Sequence, residues 1–217
     1  AISALGAEEF YQDDWNVDVV VSGSQKGIML PPGLAFLSAS PKAWEIIEKN
    51  QSPKYYWDLK AMKKNLEKST TPFTPAISLI TQLSISLQII KQEGLENVFK
   101  RHKLLADATR AAVEALGLKF FAKKNRSNVC TSIKMPEGID SKQFTKKLRD
   151  EYGVTIAAGQ GPVQNKIIRI AHLGYMEKSD VIIGISALEI GLNQFGYKVE
   201  LGKGVAAAEK VLFNIRP

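Results

Sequence analysis

An apolar run at 17–21, broken only by Asp18, leads directly into Ser22-Gly23-Ser24-Gln25-Lys26-Gly27 and then Ile28-Met29-Leu30-Pro31-Pro32-Gly33. The run reads as a buried parallel strand, because strands covered on both faces are nearly continuous in apolar sequence. Ser-Gly-Ser ends it, the chain turns, and the paired prolines turn it again before a second strand at 33–40. The pattern calls for an α/β sheet with Lys26 just past a strand end, where open sheets of this kind bind ligands. A lysine there has a chemical use beyond solvation. Its amine forms Schiff bases with carbonyl compounds once burial or neighbouring cations lower its pKa.

The whole string, Ser22-Gly23-Ser24-Gln25-Lys26 with Pro31-Pro32-Gly33 and Leu34-Ala35-Phe36-Leu37, resembles the cofactor-lysine segment of class V aminotransferases. Among these it is most similar to the alanine–glyoxylate and serine–pyruvate aminotransferases, which use pyridoxal phosphate. The resemblance implies fold type I of the pyridoxal-phosphate-dependent transferases. Residues 1–93 would be the end of the large mixed-sheet domain, and 94–217 the small α+β C-terminal domain. It also implies that Lys26 carries the cofactor as a Schiff base and that Gln25 hydrogen-bonds its phosphate. Ala1-Ile2-Ser3-Ala4-Leu5-Gly6 stands immediately after the place where the family carries an aspartate for the pyridine nitrogen. Ile2 would pack on the pyridine ring, and the chain would be the C-terminal part of a longer protein.

Further along, Thr70-Thr71-Pro72-Phe73-Thr74-Pro75 resembles the loop that contacts the cofactor phosphate across a dimer. Hydroxyls and unpaired amides at a helix start suit a phosphate, and Thr74-Pro75 also has the form of a plain N-cap. The contact is assigned to Thr71 or Thr74. Arg169-Ile170-Ala171-His172-Leu173-Gly174 matches a family string whose arginine binds the substrate α-carboxylate. On a strand, Ile168 and Ile170 point to one face and Arg169 to the other. A guanidinium can hold a carboxylate through two parallel hydrogen bonds, which lysine cannot reproduce.

Periodicity supplies the remaining elements. Ser40-Pro41 opens a helix to about residue 50, with Trp44, Ile46 and Ile47 as its expected buried stripe. A shorter helix runs through Lys68. A long one spans 75–92, with Ile77, Ile80, Leu83, Leu87 and Ile90 at helical spacing. After Gly94, a helix at 95–116 carries Val98, Leu105, Ala108, Ala112, Val113 and Leu116. Strands are expected at 119–122, 129–134, 154–158 and 166–172, with helices at 141–152, 178–196 and 204–214. His102, between Arg101 and Lys103, reads as an exposed helix histidine. His172 reads as structural and Cys130 as a small core residue. Gly159-Gln160-Gly161 reads as a tight turn near the active-site mouth.

The charge of +7 is spread in lysine pairs rather than gathered with aromatics, so no nucleic-acid partner is expected. No apolar run approaches the ~18 residues of a membrane span. The N-terminus has no basic region and reaches Glu8 and Glu9 early, and a cytoplasmic protein is expected. A single cysteine excludes an internal disulfide, and no Cys/His cluster suggests zinc. The expected activity is transamination of a small amino acid of alanine, serine or aspartate type to an acceptor such as glyoxylate or pyruvate, by a homodimer with shared sites. Two alternatives remain: a non-catalytic C-terminal subunit that dimerises, and a lyase of the same fold. The lyases related to cysteine desulfurases need a mobile cysteine and place histidine before the lysine, where Gln25 stands here.

Overall fold

The computed structural model describes residues 1–215. The chain divides into two compact units, Ala1–Glu93 and Gly94–Pro217. Among the described residues no helix is long and apolar enough to cross a membrane.

The first unit pairs strand β1 (Val19–Gly23) with strand β2 (Ala35–Ala39) and adds helices α1 (Pro41–Lys49), α2 (Leu59–Leu66) and α3 (Ile77–Glu93). The pairing is antiparallel, Val21 opposite Leu37, in a sheet of two strands. A buried parallel strand is therefore not what the unit contains. Val19 and Val21 are about half exposed, while Ser22 on the other side is buried. A ribbon covered on one side leaves half of an all-apolar strand open. Ser40 caps α1 as expected: its Oγ accepts from the Ala43 N–H and donates to Asp18 Oδ1. That bond, followed by the Lys42 ammonium, holds the Asp18 carboxyl below its ordinary range. The stripe expected on α1 is only partly covered, for Trp44 and Ile47 are half-buried, Ile46 is exposed and Ala43 is the buried residue. Trp44 is half-buried and carries the Lys63 ammonium 4.5 Å from its ring centre.

Helix α3 departs further from its expected stripe. Ile77, Ile80 and Leu87 are exposed, Leu83 is half-buried, and the buried positions are Ser86 and Ile90. Apolar residues surround this helix, so spacing alone selects no face.

The second unit is an antiparallel sheet in the order β3 (Lys119–Phe120), β4 (Cys130–Lys134), β6 (Ile167–Ala171), β5 (Ala157–Ala158). Helices α4 (Leu95–Ala115), α5 (Ser141–Tyr152), α6 (Lys178–Gln194) and α7 (Lys203–Leu212) complete it. The core joins Ile133 and Ile168 of the sheet to Leu105 and Val113 of α4, Phe144 and Leu148 of α5, and Leu188 and Leu192 of α6. Alternation holds on β6: Ile168 and Ile170 are buried and Arg169 is half-buried on the opposite face. The expected strand at 154–158 is reduced to Ala157–Ala158.

His102 is fully buried, contrary to expectation. It continues the stripe Val98, Leu105, Thr109, Ala112, whose three- and four-residue steps outweigh its charged neighbours. His172 is buried as well, donating from Nδ1 to the Asn128 carbonyl (2.8 Å) and accepting at Nε2 from Thr131 Oγ1 (2.9 Å). Burial, against the opposing Asn128 hydrogen bond, lowers its pKa from 6.5 to about 4, with Arg110 and His102 adding repulsion. Glu189, also buried, places its carboxylate at the start of α7, accepting from the N–H groups of Gly202, Gly204 and Val205. A β-carbon at Gly204 would lie 2.8 Å from Glu189 Oε1, so the close approach needs glycine.

Glu189→Ala orphans the first amides of α7 and should lower unfolding stability by about 3 kcal/mol, read as a shift in urea midpoint. Because His172 is protonated more readily unfolded than folded, its contribution is full above pH ~6.5 and fades as the pH falls toward ~4, by at most about 3 kcal/mol. Comparing urea midpoints of the wild type and His172→Asn across that window should show a shallower acid loss in the variant.

Candidate active site

Lys26 sits on a turn closed by hydrogen bonds from both sides. Ser24, fully buried, donates from Oγ to the Pro31 carbonyl (2.7 Å) and accepts at Oγ from the Leu34 N–H (3.2 Å). Its backbone N–H donates to Leu34 O, its carbonyl accepts from Leu30 N–H, and Lys26 O accepts from Met29 N–H. Met29 takes φ 63°, a left-handed value that a residue with a β-carbon adopts only where its surroundings compel it. Helix α3 supports the turn, for the buried Ser86 hydroxyl donates to the Ile28 carbonyl. At the turn's far end a β-carbon on Gly33 would lie 2.5 Å from Leu79 Cδ1.

The tightest point is Gly27. A β-carbon there would lie 2.4 Å from the Leu5 carbonyl oxygen and 2.9 Å from the Gly6 carbonyl carbon. The residue after the lysine is thus pressed against the 5–7 segment, where Gly6 and Ala7 are buried. Lys26 itself is half-buried, and among the described residues its amine has no hydrogen-bond or ion-pair partner. Several other lysines, including Lys42, Lys103, Lys146 and Lys147, face carboxylates. Gln25 is exposed and its side chain folds back over Gly23, whose β-carbon would lie 2.8 Å from Gln25 Oε1. Ile2 is about half exposed.

The threonine loop is ordered by aromatic packing. Phe73 stacks on Tyr56 with ring centres 4.9 Å apart and meets Tyr55 edge-on at 5.3 Å. Thr71 is exposed and donates to the Phe73 carbonyl (2.6 Å). Thr74 is exposed, and α3 begins at Ile77, so Thr74 does not take the capping position expected of it. Among the described residues no hydrogen bond joins this loop to the lysine turn.

In the second unit Arg169 lies opposite Ser132 and Ala157 in the sheet register. Its Nε and Nη2 donate to the Ala158 carbonyl at 3.3 and 3.0 Å, which fixes the plane of the guanidinium. Nη1 has no protein partner among the described residues, so the Nη1–Nη2 edge retains donors for an incoming carboxylate.

Pattern reading did not reach Ser24, Gly27 and Ser86 as supports of the lysine. Sequence did not single out Ser86, which shares α3 with Ser78, Thr81 and Ser84; its burial is what demands a partner.

The family model for aminotransferase class-V matches residues 1–182. The chain is 42% identical to the small subunit of soluble hydrogenase from Synechococcus sp. strain PCC 6716, covering 98% of this chain and 56% of that one. It is 39% identical to L-aspartate–glyoxylate aminotransferase from Paracoccus denitrificans, over 96% of this chain and 53% of that one. The crystal structure of pyridoxamine–pyruvate aminotransferase from Mesorhizobium loti superposes with a TM-score of 0.93 at 32% identity, covering 99% of this chain and 56% of that one. The fold is that of the type I pyridoxal-phosphate-dependent transferases, and the chain spans about half the length of the curated relatives it matches. With its lysine turn and its match over residues 1–182, the chain belongs to the class-V aminotransferase family.

Proposed function

We propose that this chain carries the cofactor lysine and the substrate-carboxylate arginine of a transaminase. It would move the amino group of a small amino acid, of alanine, serine or aspartate type, to a 2-oxo acid such as glyoxylate or pyruvate. The observation that carries the reading is the half-buried, unpartnered Lys26 amine on a turn that admits no side chain at Gly27. The relatives' names support the substrate class, since one is an aspartate–glyoxylate and another a pyridoxamine–pyruvate aminotransferase.

The residues fit pyridoxal phosphate as the cofactor. The lysine amine has no competing partner, and the exposed Gln25 amide and Thr74 hydroxyl are neutral donors of the kind a phosphate accepts from, while Thr71 would first turn its hydroxyl from the Phe73 carbonyl. Lys26 would hold the group covalently, with Gln25 and one of the threonines on its phosphate. Bound there, the cofactor supplies an electron sink for the bonds to the substrate α-carbon. Once the substrate amine has taken its place on the cofactor, the freed Lys26 Nζ would take the α-proton as general base and give it back as general acid. Arg169 would hold the substrate by its carboxylate and so fix its orientation. Residues 1–93 belong in this reading to the large domain and 94–217 to the small one, in a homodimer with sites shared between subunits.

On the natural full-length gene product, pyridoxal phosphate followed by borohydride should leave a covalent label that peptide mapping finds on Lys26. A label confined to other lysines would sink the assignment. Lys26→Ala should lose the label and lower transamination by on the order of 10²- to 10⁴-fold. Arg169→Lys should raise KM for the amino acid about tenfold or more with a smaller effect on kcat.

A further inference from the structure

We propose that His102, together with Arg101 beside it, is a positioning residue that steadies Arg169 by clamping the turn through which β6 leaves the sheet. The inference rests on the reading of Arg169 as the substrate-carboxylate ligand.

Strand pairing around β6 stops at Ala171, which lies opposite Cys130. Beyond it the chain must reverse, and Gly174, buried at φ 84°, makes the reversal before α6 begins at Lys178. The ladder no longer supplies partners there, and side chains of α4 take over. His102 Nε2 accepts from the Gly174 N–H at 3.0 Å. Arg101 Nη1 donates to the Gly174 carbonyl at 2.8 Å and to the Met176 carbonyl at 3.0 Å. One more backbone bond, His172 N–H to Val129 O, joins the sheet to the clamp.

The clamp is rigid on the helix side. His102 is fully buried, and its Nδ1 lies 2.7 Å from the Val98 carbonyl one turn back. Since Gly174 donates to Nε2, the hydrogen must sit on Nδ1, and both ring nitrogens are committed. The ring can neither flip nor rotate without losing a buried bond. Arg169 lies five residues before Gly174 on a strand whose outer neighbour, β5, spans only Ala157–Ala158. Its guanidinium is anchored to a single carbonyl, Ala158 O. The ladder with β4 fixes its register opposite Ser132, and the clamp keeps the end of that ladder, two residues beyond Arg169, from fraying. Shifts of ~1 Å at a substrate-orienting group are costly to catalysis.

Reach separates this role from simple filling of the core. Glutamine carries its amide oxygen as many bonds beyond Cγ as histidine carries Nε2, so His102→Gln keeps an acceptor for Gly174. Asparagine is one bond shorter, so His102→Asn can serve Val98 O but not Gly174. In the full-length holoenzyme, amide exchange at Gly174 should quicken about tenfold or more in His102→Asn and stay near wild type in His102→Gln, with α5 unchanged in both. KM for the amino acid should rise about five- to tenfold in His102→Asn, with kcat within about twofold, and recover in His102→Gln. Arg101→Met, at a half-buried position that tolerates the change more readily, should reproduce the KM effect.

Unchanged exchange at Gly174 in His102→Asn would overturn the clamp. Faster exchange with unchanged KM, while Arg169→Lys still raises KM, would overturn the coupling to Arg169 and leave the carboxylate reading intact. An Arg169→Lys enzyme with wild-type KM would remove that reading, and the proposal with it.

Discussion

A carbonyl oxygen 2.4 Å from where a β-carbon would stand leaves no room for any residue but glycine at position 27. This contact presses the peptide after Lys26 against the 5–7 segment, and the rest of the first unit is arranged to keep it there. Ser24 closes the turn from within, and Ser86 holds it from α3 across 58 residues of sequence. Met29 accepts a left-handed backbone as part of the closure. A lysine side chain has about 2 kcal/mol of rotamer entropy to lose when it is ordered. Fixing the backbone at both flanks does not remove that cost, but it confines the sphere the amine can explore.

The second unit solves a different problem with the same means. Its core holds two histidines and a glutamate that apolar packing alone would reject, and each bonds a backbone group near the end of a secondary-structure element, His172 adding the Thr131 hydroxyl. His172 ties the 128–131 segment to the end of β6, His102 ties α4 to the turn that follows, and Glu189 ties α6 to α7. Buried polar groups of this kind cost little when all their partners are present and much when one is lost. They make the ends of the elements as definite as their middles.

How much of this was legible in sequence varied with the reach of the interaction. The lysine turn, the capped start of α1, the stripe of α4 and the outward face of Arg169 all follow from neighbours within a few residues, and each was readable. The exposure of Val19, Val21 and most of α3 was not, because an apolar pattern states what a segment can bury and not which layers surround it. His102 was misjudged from its charged neighbours, although its spacing from Val98 and Leu105 carried the correct signal. Among the candidate site residues, Gln25, Lys26 and Arg169 came from motif strings, whereas the close approach at Gly27 and the Ser86–Ile28 and His102–Gly174 hydrogen bonds depend on contacts between distant segments that no local pattern encodes.

The glutamate at the start of α7 also bears on the order in which the chain acquires structure. Helix α7 is short, and isolated helices below roughly 12–15 residues are marginal in water. Its first amides find their acceptor on Glu189, thirteen residues before Gly202 and on a different helix. The 203–212 segment therefore has little to hold it helical before α6 offers that carboxylate and α4 the surface it packs on.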